Sequence, residues 1–293
     1  QFYNSYKSSN TEQTNKNLEQ LKTIFHNLLA YSANNDAISF LNDFLYLFIS
    51  NLYVLYEDKE ITINNEEDKK IFDILGVHNR LERTCIDDTS NKSYERFINT
   101  IGIIKTGKQH ESLDISSLLT NPQEETMEGI ERCEHKSQTV KYTITKLSDY
   151  VFLELPIISD LYGKLQGKYK YEKYLNFTLN ETNYELIGIS VHQGSSLYSG
   201  SHYISYVKRG ENVWHKIDDI TVTPSSLQEI DIIFSNQEKL RDRPRVLLYR
   251  KQGKEVQGEP VGLENNNLVC YMNSLLQLLV MVPEFWDILV PAS

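Results

Sequence analysis

The chain has 293 residues, enough for one large domain or two of ordinary size, and long enough to bury a substantial core. Its formal net charge is −10, which argues against a nucleic-acid partner because phosphate binding needs a basic surface. A basic protein partner fits this charge better. The most apolar stretch, residues 275–282, is too short to span a bilayer, and the first ten residues lack the apolar core of a secretory signal. We therefore expect no membrane partner.

The three cysteines, Cys85, Cys133 and Cys270, are an odd number with no close pairing in the sequence. This pattern indicates a reducing compartment, the cytoplasm or the nucleus, where a lone thiol serves chemistry rather than a disulfide.

Hydrophobic periodicity predicts two helices in the first part of the chain, after a polar segment, residues 1–17, that we expect to be frayed. The first helix begins at Leu18, and the second runs from about Asp36 to Tyr56. Residues 57–70 are charged and predict a loop, and mixed short strands follow to about Ser148.

Strands dominate the next part of the chain. Val151–Ile158 predicts a buried strand, and Lys164–Tyr174 predicts a loop or a sheet edge. From Tyr184 to Tyr249, alternating apolar residues and turn signals predict a meander of antiparallel strands. The polar segment Lys251–Pro260, which contains two glycines, is typical of a linker.

Cys270 opens a stretch of helical periodicity, Cys270–Leu279, directly after a loop that contains three asparagines. A cysteine among apolar neighbours is commonly an inert buried residue. At the start of a helix, however, its thiolate would face the positive end of the helix dipole, beside loop amides that suit an oxyanion. Both interpretations stay open from this residue alone.

His202 is the candidate base. It precedes the strand Tyr203–Val207, and Asp218 directly follows the strand Val213–Ile217. Two neighbouring antiparallel strands would bring the carboxylate beside the imidazole and orient it. The alternative is a surface histidine and a turn that contains two aspartates.

Four segments resemble sequence boxes of the ubiquitin-specific proteases. The cysteine box of that family usually reads GLxNxGNTCYMNSxLQ, and residues 262–277 read GLENNNLVCYMNSLLQ. The histidine box usually reads YxLxGVxxHxG…GHYxAYVK, and residues 184–208 contain YELIG, HQG and SHYISYVK. Residues 214–223, WHKIDDITVT, match its WYxFDDxxVT continuation. Residues 34–41, NNDAISFL, are a weaker echo of QQDAxEFL.

The resemblance implies a role for each matching position. Cys270 becomes the nucleophile, His202 the general base and Asp218 the carboxylate that orients it. Asn265 becomes a donor to the oxyanion, and Asp219 a supporting second aspartate. The substrate-binding residues implied by the boxes are Asp36, Tyr271, His192, Gly194 and Tyr203.

The implied fold is α+β, the papain-like ubiquitin-specific protease fold, with a helical thumb, a β palm and β fingers that grip ubiquitin. We divide a single catalytic domain, 1–293, into five parts. These are thumb helices (18–75), fingers (76–148), a palm with the histidine box (149–250), a linker (251–261), and the cysteine box with a thumb helix (262–293). The family runs Cys, His, Asp, whereas this chain runs His, Asp, Cys. This order predicts a circular permutation that places the cysteine box at the C-terminus.

Many members of the family hold zinc in the fingers with two CxxC pairs. Here Asp88 stands where a partner of Cys85 would be, and Lys136 where a partner of Cys133 would be. Two sulfurs cannot close a tetrahedral zinc site without other ligands. His135 is a possible third ligand, although a solvent-facing histidine explains it better. We expect neither a metal nor a cofactor.

The resulting hypothesis is a thiol-dependent deubiquitinase that hydrolyses isopeptide or peptide bonds after the C-terminal glycine of ubiquitin. Its partners would be ubiquitin and ubiquitinated proteins. Three departures bear on this reading: Asn-Leu-Val at 267–269 replaces the usual Gly-Asn-Thr, Ser201 replaces a glycine, and Ser39 replaces a glutamate. The alternatives are a catalytically inactive ubiquitin-binding module and a protease for another ubiquitin-like modifier.

Overall fold

A computed structural model describes most of the chain. The described residues are 1–28, 37, 40, 41, 45, 53–56, 66–103, 112–128, 133, 137–156, 169–196, 201–210, 213–235, 242–253, 259–265 and 270–289. The helices are α1 (Phe2–Lys7), α2 (Thr11–Leu28), α3 (Glu66–Leu75), α4 (Ile115–Thr120), α5 (Leu227–Phe234), α6 (Cys270–Leu279) and α7 (Pro283–Leu289).

Fifteen strands are described. They are β1 (Tyr53–Tyr56), β2 (Val77–Cys85), β3 (Lys92–Asn99), β4 (Ile101–Ile103), β5 (Ser112–Asp114), β6 (Gln123–Glu128), β7 (Ser137–Leu147), β8 (Tyr150–Glu154), β9 (Lys170–Glu172), β10 (Asn176–Leu179), β11 (Thr182–Gln193), β12 (His202–Arg209), β13 (Val213–Asp218), β14 (Thr221–Ser225) and β15 (Asp242–Lys251).

These strands form two sizeable sheets and one short parallel pair. The larger sheet has the order β14-β13-β12-β11-β15-β8-β4, and β10 also pairs with β11. The smaller sheet has the order β1-β3-β2-β7-β6 and is antiparallel throughout. Strands β5 and β9 pair with each other. The mixture of sheets and segregated helices confirms the α+β class.

The predicted meander is present as β11 to β14, but its last strand lies elsewhere. Strand β15 pairs with β11 and β8 in the middle of the larger sheet, and α5 connects it to β14. The burial pattern explains this position. Val246 and Leu248 pack into one hydrophobic core, whereas Leu247 and Tyr249 pack into the other. A strand that is apolar on both faces must be covered on both, which suits a position between the two cores.

The prediction that residues 1–17 are frayed is wrong. Helix α1 buries three aromatic side chains, and α2 begins at Thr11, well before Leu18. In α1, the ring of Tyr3 stacks on Trp286 at 5.3 Å, and Phe2 lies 5.8 Å from the same ring. These partners are almost the whole length of the chain away, so that a reading of local composition could not reveal the burial.

The helix predicted for 36–56 does not reach its expected end. Residues 37, 40, 41 and 45 are helical, but Tyr53–Tyr56 forms β1 and pairs with β3. The loop predicted for 57–70 is wrong in its last part, because α3 begins at Glu66 and buries Ile71, Phe72 and Leu75 on one face. Within Lys164–Tyr174, β9 is a strand of the short parallel pair, as expected for an edge.

Helix α6 packs directly on the larger sheet. Ser274 Oγ donates to the carbonyl of Ile204 at 2.9 Å and lies 2.7 Å from Ser190 Oγ. A Cβ at Gly188 would lie 2.5 Å from Leu278 Cδ2, so that this glycine permits the close approach of the helix. In the described part of the chain, no helix is both long and apolar enough to cross a membrane.

Cys85 and Cys133 form a disulfide, contrary to the expectation of unpaired thiols. Cys85 ends β2, which pairs with β7, and Cys133 lies in the connection that precedes β7. The two Cα atoms are 5.5 Å apart across a sequence separation of 48 residues, a proximity that only the strand pairing creates. Sulfurs joined in this way cannot act as zinc thiolates, and as free thiols these two would still be too few for the two-pair zinc site of the family.

Candidate active site

The candidate base and its carboxylate are adjacent because β12 and β13 pair antiparallel. His202 begins β12 and Asp218 ends β13, so that both lie at the same end of this strand pair. His202 Nε2 lies 2.7 Å from Asp218 Oδ1. Both side chains are partly exposed, at 34% and 45%. The site is therefore open to an incoming chain.

Cys270 is the first residue of α6; the residue is 9% exposed and its thiol is free. Interaction with the Cys270 side chain is the main reason why the pKa of His202 is raised from 6.5 to about 9; burial lowers this pKa, and Asp218 raises it further. Because Nε2 is engaged by Asp218, Nδ1 is the ring nitrogen that remains for the sulfur.

Asp219 occupies the tight turn between β13 and β14, with a φ of +49°. Aspartate tolerates this left-handed conformation better than most residues do. Its Oδ2 accepts a hydrogen bond from Asn265 Nδ2 at 2.8 Å, and its Oδ1 accepts one from Asn273 Nδ2 at 3.1 Å. The turn after Asp218 is thereby tied to both the loop before the cysteine and the helix after it.

The loop 262–265 is held closely against this turn. Leu263 N donates to the backbone oxygen of Asp219 at 2.9 Å. A Cβ at Gly262 would lie 2.0 Å from the carbonyl oxygen of Ile220, so that only glycine fits there. Asn273 Nδ2 also contacts the carbonyls of Leu263 at 3.3 Å and of Glu264 at 3.2 Å. Sequence reasoning missed this role of Asn273, although the residue stands in the cysteine box.

A thiol, an imidazole and a carboxylate in this succession are the parts of a cysteine hydrolase. A sequence model of the ubiquitin carboxyl-terminal hydrolases matches residues 1–249. The chain belongs to this family. The matched range contains His202 and Asp218 and ends before Cys270.

Curated relatives of this chain are similar to it over parts of their length. Ubiquitin carboxyl-terminal hydrolase 17-like protein D of Mus musculus is 28% identical over 210 residues, which cover 64% of this chain and 35% of the mouse protein. The 17-like protein 15 of Homo sapiens is 35% identical over 96 residues, 30% of this chain and 17% of the human protein. Probable ubiquitin carboxyl-terminal hydrolase 16 of Schizosaccharomyces pombe is 34% identical over 82 residues, 28% of this chain and 16% of the yeast protein. The chain thus spans about a third or less of the length of these relatives.

The expected substrate-binding positions of this family member lie at different depths. Tyr271 is partly buried and packs edge-on against Phe40, with 6.0 Å between the rings, and burial raises the pKa of its hydroxyl. His192 and Tyr203 are buried in the sheet, with 5.1 Å between the centres of their rings. Neither presents a surface to a partner in this conformation.

Two positions of that group remain. Gly194 has a φ of +141°, and its carbonyl accepts a hydrogen bond from Arg243 Nη1 at 3.0 Å. Arg243, on β15, is a contact that the sequence boxes did not indicate. Asp36 lies outside the described residues.

A cation bound by His202, Asp218 and Asp219 would have poor ligands. One ligand atom each of His202, Asp218 and Asp219 lies within 4.8 Å of the others. Both carboxylate oxygens of Asp219 already accept from side-chain amides, whose hydrogens would face the ion. Nε2 of His202 is engaged by Asp218. These groups suit proton transfer and not metal binding.

Proposed function

We propose that this chain is a thiol-dependent deubiquitinase that hydrolyses isopeptide or peptide bonds after the C-terminal glycine of ubiquitin. The observation that carries the proposal is the free thiol of Cys270 at the start of α6, which raises the pKa of an imidazole whose Nε2 lies 2.7 Å from a carboxylate. Family membership supplies the substrate class, since the matching family is named for ubiquitin carboxyl-terminal hydrolysis.

The reaction follows from the three groups. His202 accepts the proton of Cys270, and the thiolate attacks the carbonyl carbon of the terminal glycine. When the tetrahedral intermediate collapses, the imidazolium gives its proton to the leaving amine, and a thioester remains on the sulfur. Water, deprotonated by His202, then hydrolyses this thioester and releases ubiquitin. Asp218 holds the ring in one orientation throughout.

Asn265 is the proposed side-chain donor to the oxyanion. Its amide nitrogen has two hydrogens, and the 2.8 Å bond to Asp219 fixes one of them and so orients the other. This bond is the proposed role of Asp219 as a supporting residue. Backbone amides at the start of α6 add positive potential beside the sulfur of Cys270.

The proposed catalytic residues follow one another in the chain as His202, Asp218 and Cys270, and this order supports the proposal of a circular permutation. In space, α1 packs against the helices that follow Cys270: Tyr3 stacks on Trp286, and Tyr6 Oη donates to Gln277 Oε1 at 2.5 Å. In a chain that ran Cys, His, Asp, these helices would be consecutive. We equate the smaller sheet with the fingers, the larger sheet with the palm, and the helices around α6 with the thumb.

The proposed partners are ubiquitin and ubiquitinated proteins, without nucleic acid. The net charge of −10 favours a basic partner surface. We further propose that the protein acts in the cytoplasm or the nucleus. In a reducing compartment the bond between Cys85 and Cys133 would be open, and the tip of the smaller sheet would depend on strand pairing alone.

The test is covalent capture by ubiquitin that carries a C-terminal electrophile. The wild-type chain should form a stable adduct one ubiquitin heavier, and Cys270→Ala should form none. Noncovalent binding of ubiquitin without any adduct in the wild type would favour an inactive binding module, which the Asn-Leu-Val replacement at 267–269 makes the main alternative. Faster capture by a probe built on another ubiquitin-like modifier would reassign the substrate.

A further inference from the structure

Helix α2 contacts the loop 262–265 through two of its side chains. Asn15 and Lys22 are about two helical turns apart and therefore share a face of the helix. Asn15 Nδ2 donates to the carbonyl of Gly262 at 3.3 Å, and Asn15 Oδ1 accepts from Glu264 N at 2.8 Å. Lys22 Nζ donates to the carbonyl of Glu264 at 2.8 Å. One face of α2 thus binds the backbone of this loop.

Both side chains are well placed to hold the loop firmly. Asn15 is 6% exposed, and its amide pairs with the loop through a donor and an acceptor at once, as a neighbouring strand would. The side chain of Lys22 is 10% exposed, so that water competes little for the ammonium group that binds Glu264. A hydrogen bond from a charged donor is also stronger than a neutral one.

The held atoms adjoin the proposed oxyanion donor. The carbonyl of Glu264 and the N–H of Asn265 belong to one planar peptide group. Lys22 Nζ and Asn273 Nδ2 both donate to this carbonyl, at 2.8 and 3.2 Å. Fixing the oxygen therefore fixes the plane from which Asn265 departs, and the bond to Asp219 fixes its far end.

We propose that Asn15 and Lys22 are positioning residues that act through Asn265: they fix the loop so that the Asn265 amide meets the oxyanion in the transition state. This inference rests on the proposed function. A donor aimed at the transition state works only within a narrow range of positions, so that a loosened loop should slow the chemical step and leave the binding of ubiquitin in place.

The chain offers a matched control on the same helix. Asn17 is 7% exposed, about as buried as Asn15, but its amide bonds to Ser5 at 3.0 Å and accepts from Gln13 at 3.0 Å, away from the loop. Asn17→Ala removes a buried asparagine from α2 without touching 262–265. Loss of helix packing alone would therefore affect both variants alike.

The experiment measures kcat and KM on ubiquitin with a fluorogenic C-terminal amide. Asn15→Ala and Lys22→Met should each lower kcat by about 10-fold, less than the roughly 10²–10³-fold loss typical of removing an oxyanion donor, with KM nearly unchanged. Lys22→Arg keeps a charged donor and should therefore recover part of the kcat that Lys22→Met loses. Asn17→Ala should lower the melting temperature but not kcat. Equal kcat losses in Asn15→Ala and Asn17→Ala would overturn the proposal.

A double-mutant cycle identifies the route of the effect. If Asn15 acts through Asn265, then Asn265→Ala should cost far less in the Asn15→Ala background than in the wild type. Fully additive losses would overturn the route through Asn265.

A measurement that does not depend on enzyme activity tests this inference separately from the proposed function. Hydrogen exchange at the amide of Glu264 should accelerate in Asn15→Ala and not in Asn17→Ala. A wild type that cleaves no ubiquitin would contradict the proposed function, and it would remove the oxyanion role with it. Unchanged exchange at Glu264 in Asn15→Ala would overturn the hold on the loop, whatever the activity.

Discussion

Asn273 Nδ2 lies 3.1 Å from Asp219 Oδ1, so that the helix carrying the candidate nucleophile is bonded to the turn carrying the two aspartates. Asn273 is 2% exposed and is separated by 54 residues from its acceptor. The same amide contacts two carbonyls of the loop 262–265. Cys270, His202 and Asp218 come from three separate elements, and this amide links the helix that begins at Cys270 to the turn that follows Asp218.

Replacing Cys270, His202 or Asp218 should lower the rate of ubiquitin cleavage to different degrees. Cys270→Ala and His202→Ala should abolish cleavage of ubiquitin conjugates while ubiquitin binding persists, because the thiol forms the covalent intermediate and the imidazole transfers the protons. Asp218→Asn should cost less, since Asp218 orients the base through the 2.7 Å bond and takes no part in bond making. Cleavage assays with parallel binding measurements check this. Full activity in Cys270→Ala would remove the cysteine from the mechanism.

The contact between Cys270 and His202 should be visible in a titration. Cys270 is the largest cause of the raised pKa of His202, about 9 against an ordinary 6.5. In Cys270→Ala the pKa should therefore fall, as measured by NMR of the imidazole. A pKa that is the same in both proteins would mean that thiol and ring are not in contact.

The raised pKa of His202 also predicts the direction in which stability changes with pH. Because the folded-state pKa of His202 lies above the unfolded value, the stabilisation is complete below pH 6.5 and is lost as the pH rises to about 9. The difference in unfolding free energy between wild type and His202→Gln should therefore shrink across this window. Denaturant unfolding at several pH values measures it, and a difference that grows toward pH 9 would contradict the assignment.

A charge at position 273 should be worse than a truncation. Asn273→Asp places a carboxylate within hydrogen-bond distance of Asp219 Oδ1 and beside two carbonyls, so that the two charges repel in a buried place. Asn273→Ser removes the amide and shortens the side chain without adding charge. We expect both to lower activity, with Asn273→Asp also lowering the unfolding free energy by several kcal/mol. Equal stability of the two variants would show that Asp219 does not approach this position in solution.

In an oxidising buffer the tip of the smaller sheet should be stabilised by a disulfide and not by zinc. Cys133→Ser should lower the unfolding free energy by about 2–4 kcal/mol under oxidising conditions, because the bond closes a loop of 48 residues. A reductant should lower the melting temperature of the wild type but not of Cys133→Ser, and a chelator should change neither. Stoichiometric zinc bound through Cys85 and Cys133 would contradict this account.

The elements that sequence predicted well are those whose neighbours lie close in the chain. The helix Cys270–Leu279 has the predicted bounds, and β12 and β13 pair as the turn between them requires. The exceptions depend on distant partners. Tyr3 of α1 is buried by Trp286, and β15 is central because it pairs with β11 and β8. No local pattern encodes such contacts.

The candidate site divides in the same way. Resemblance located His202, Asp218 and Cys270, because these residues lie in recognisable sequence motifs. Asn15 and Lys22 belong to no box, and only the packing of α2 on the loop reveals them. The pairing of Cys85 with Cys133 likewise required the register of β2 and β7, since spacing alone placed them 48 residues apart.

Helix α6 should contribute as much to stability as to chemistry. Leu278 is fully buried and sits over Gly188 of β11, so that Leu278→Ala leaves a cavity between the helix and the larger sheet. Such a change costs about 2–5 kcal/mol of unfolding free energy. Leu227→Ala is the matched control, because Leu227 is 38% exposed and its loss should cost less than about 0.5 kcal/mol. Denaturant unfolding of both variants measures the difference. If Leu278→Ala were as stable as Leu227→Ala, α6 would not pack on the sheet in solution, and the nucleophile would lack the support that holds it beside His202.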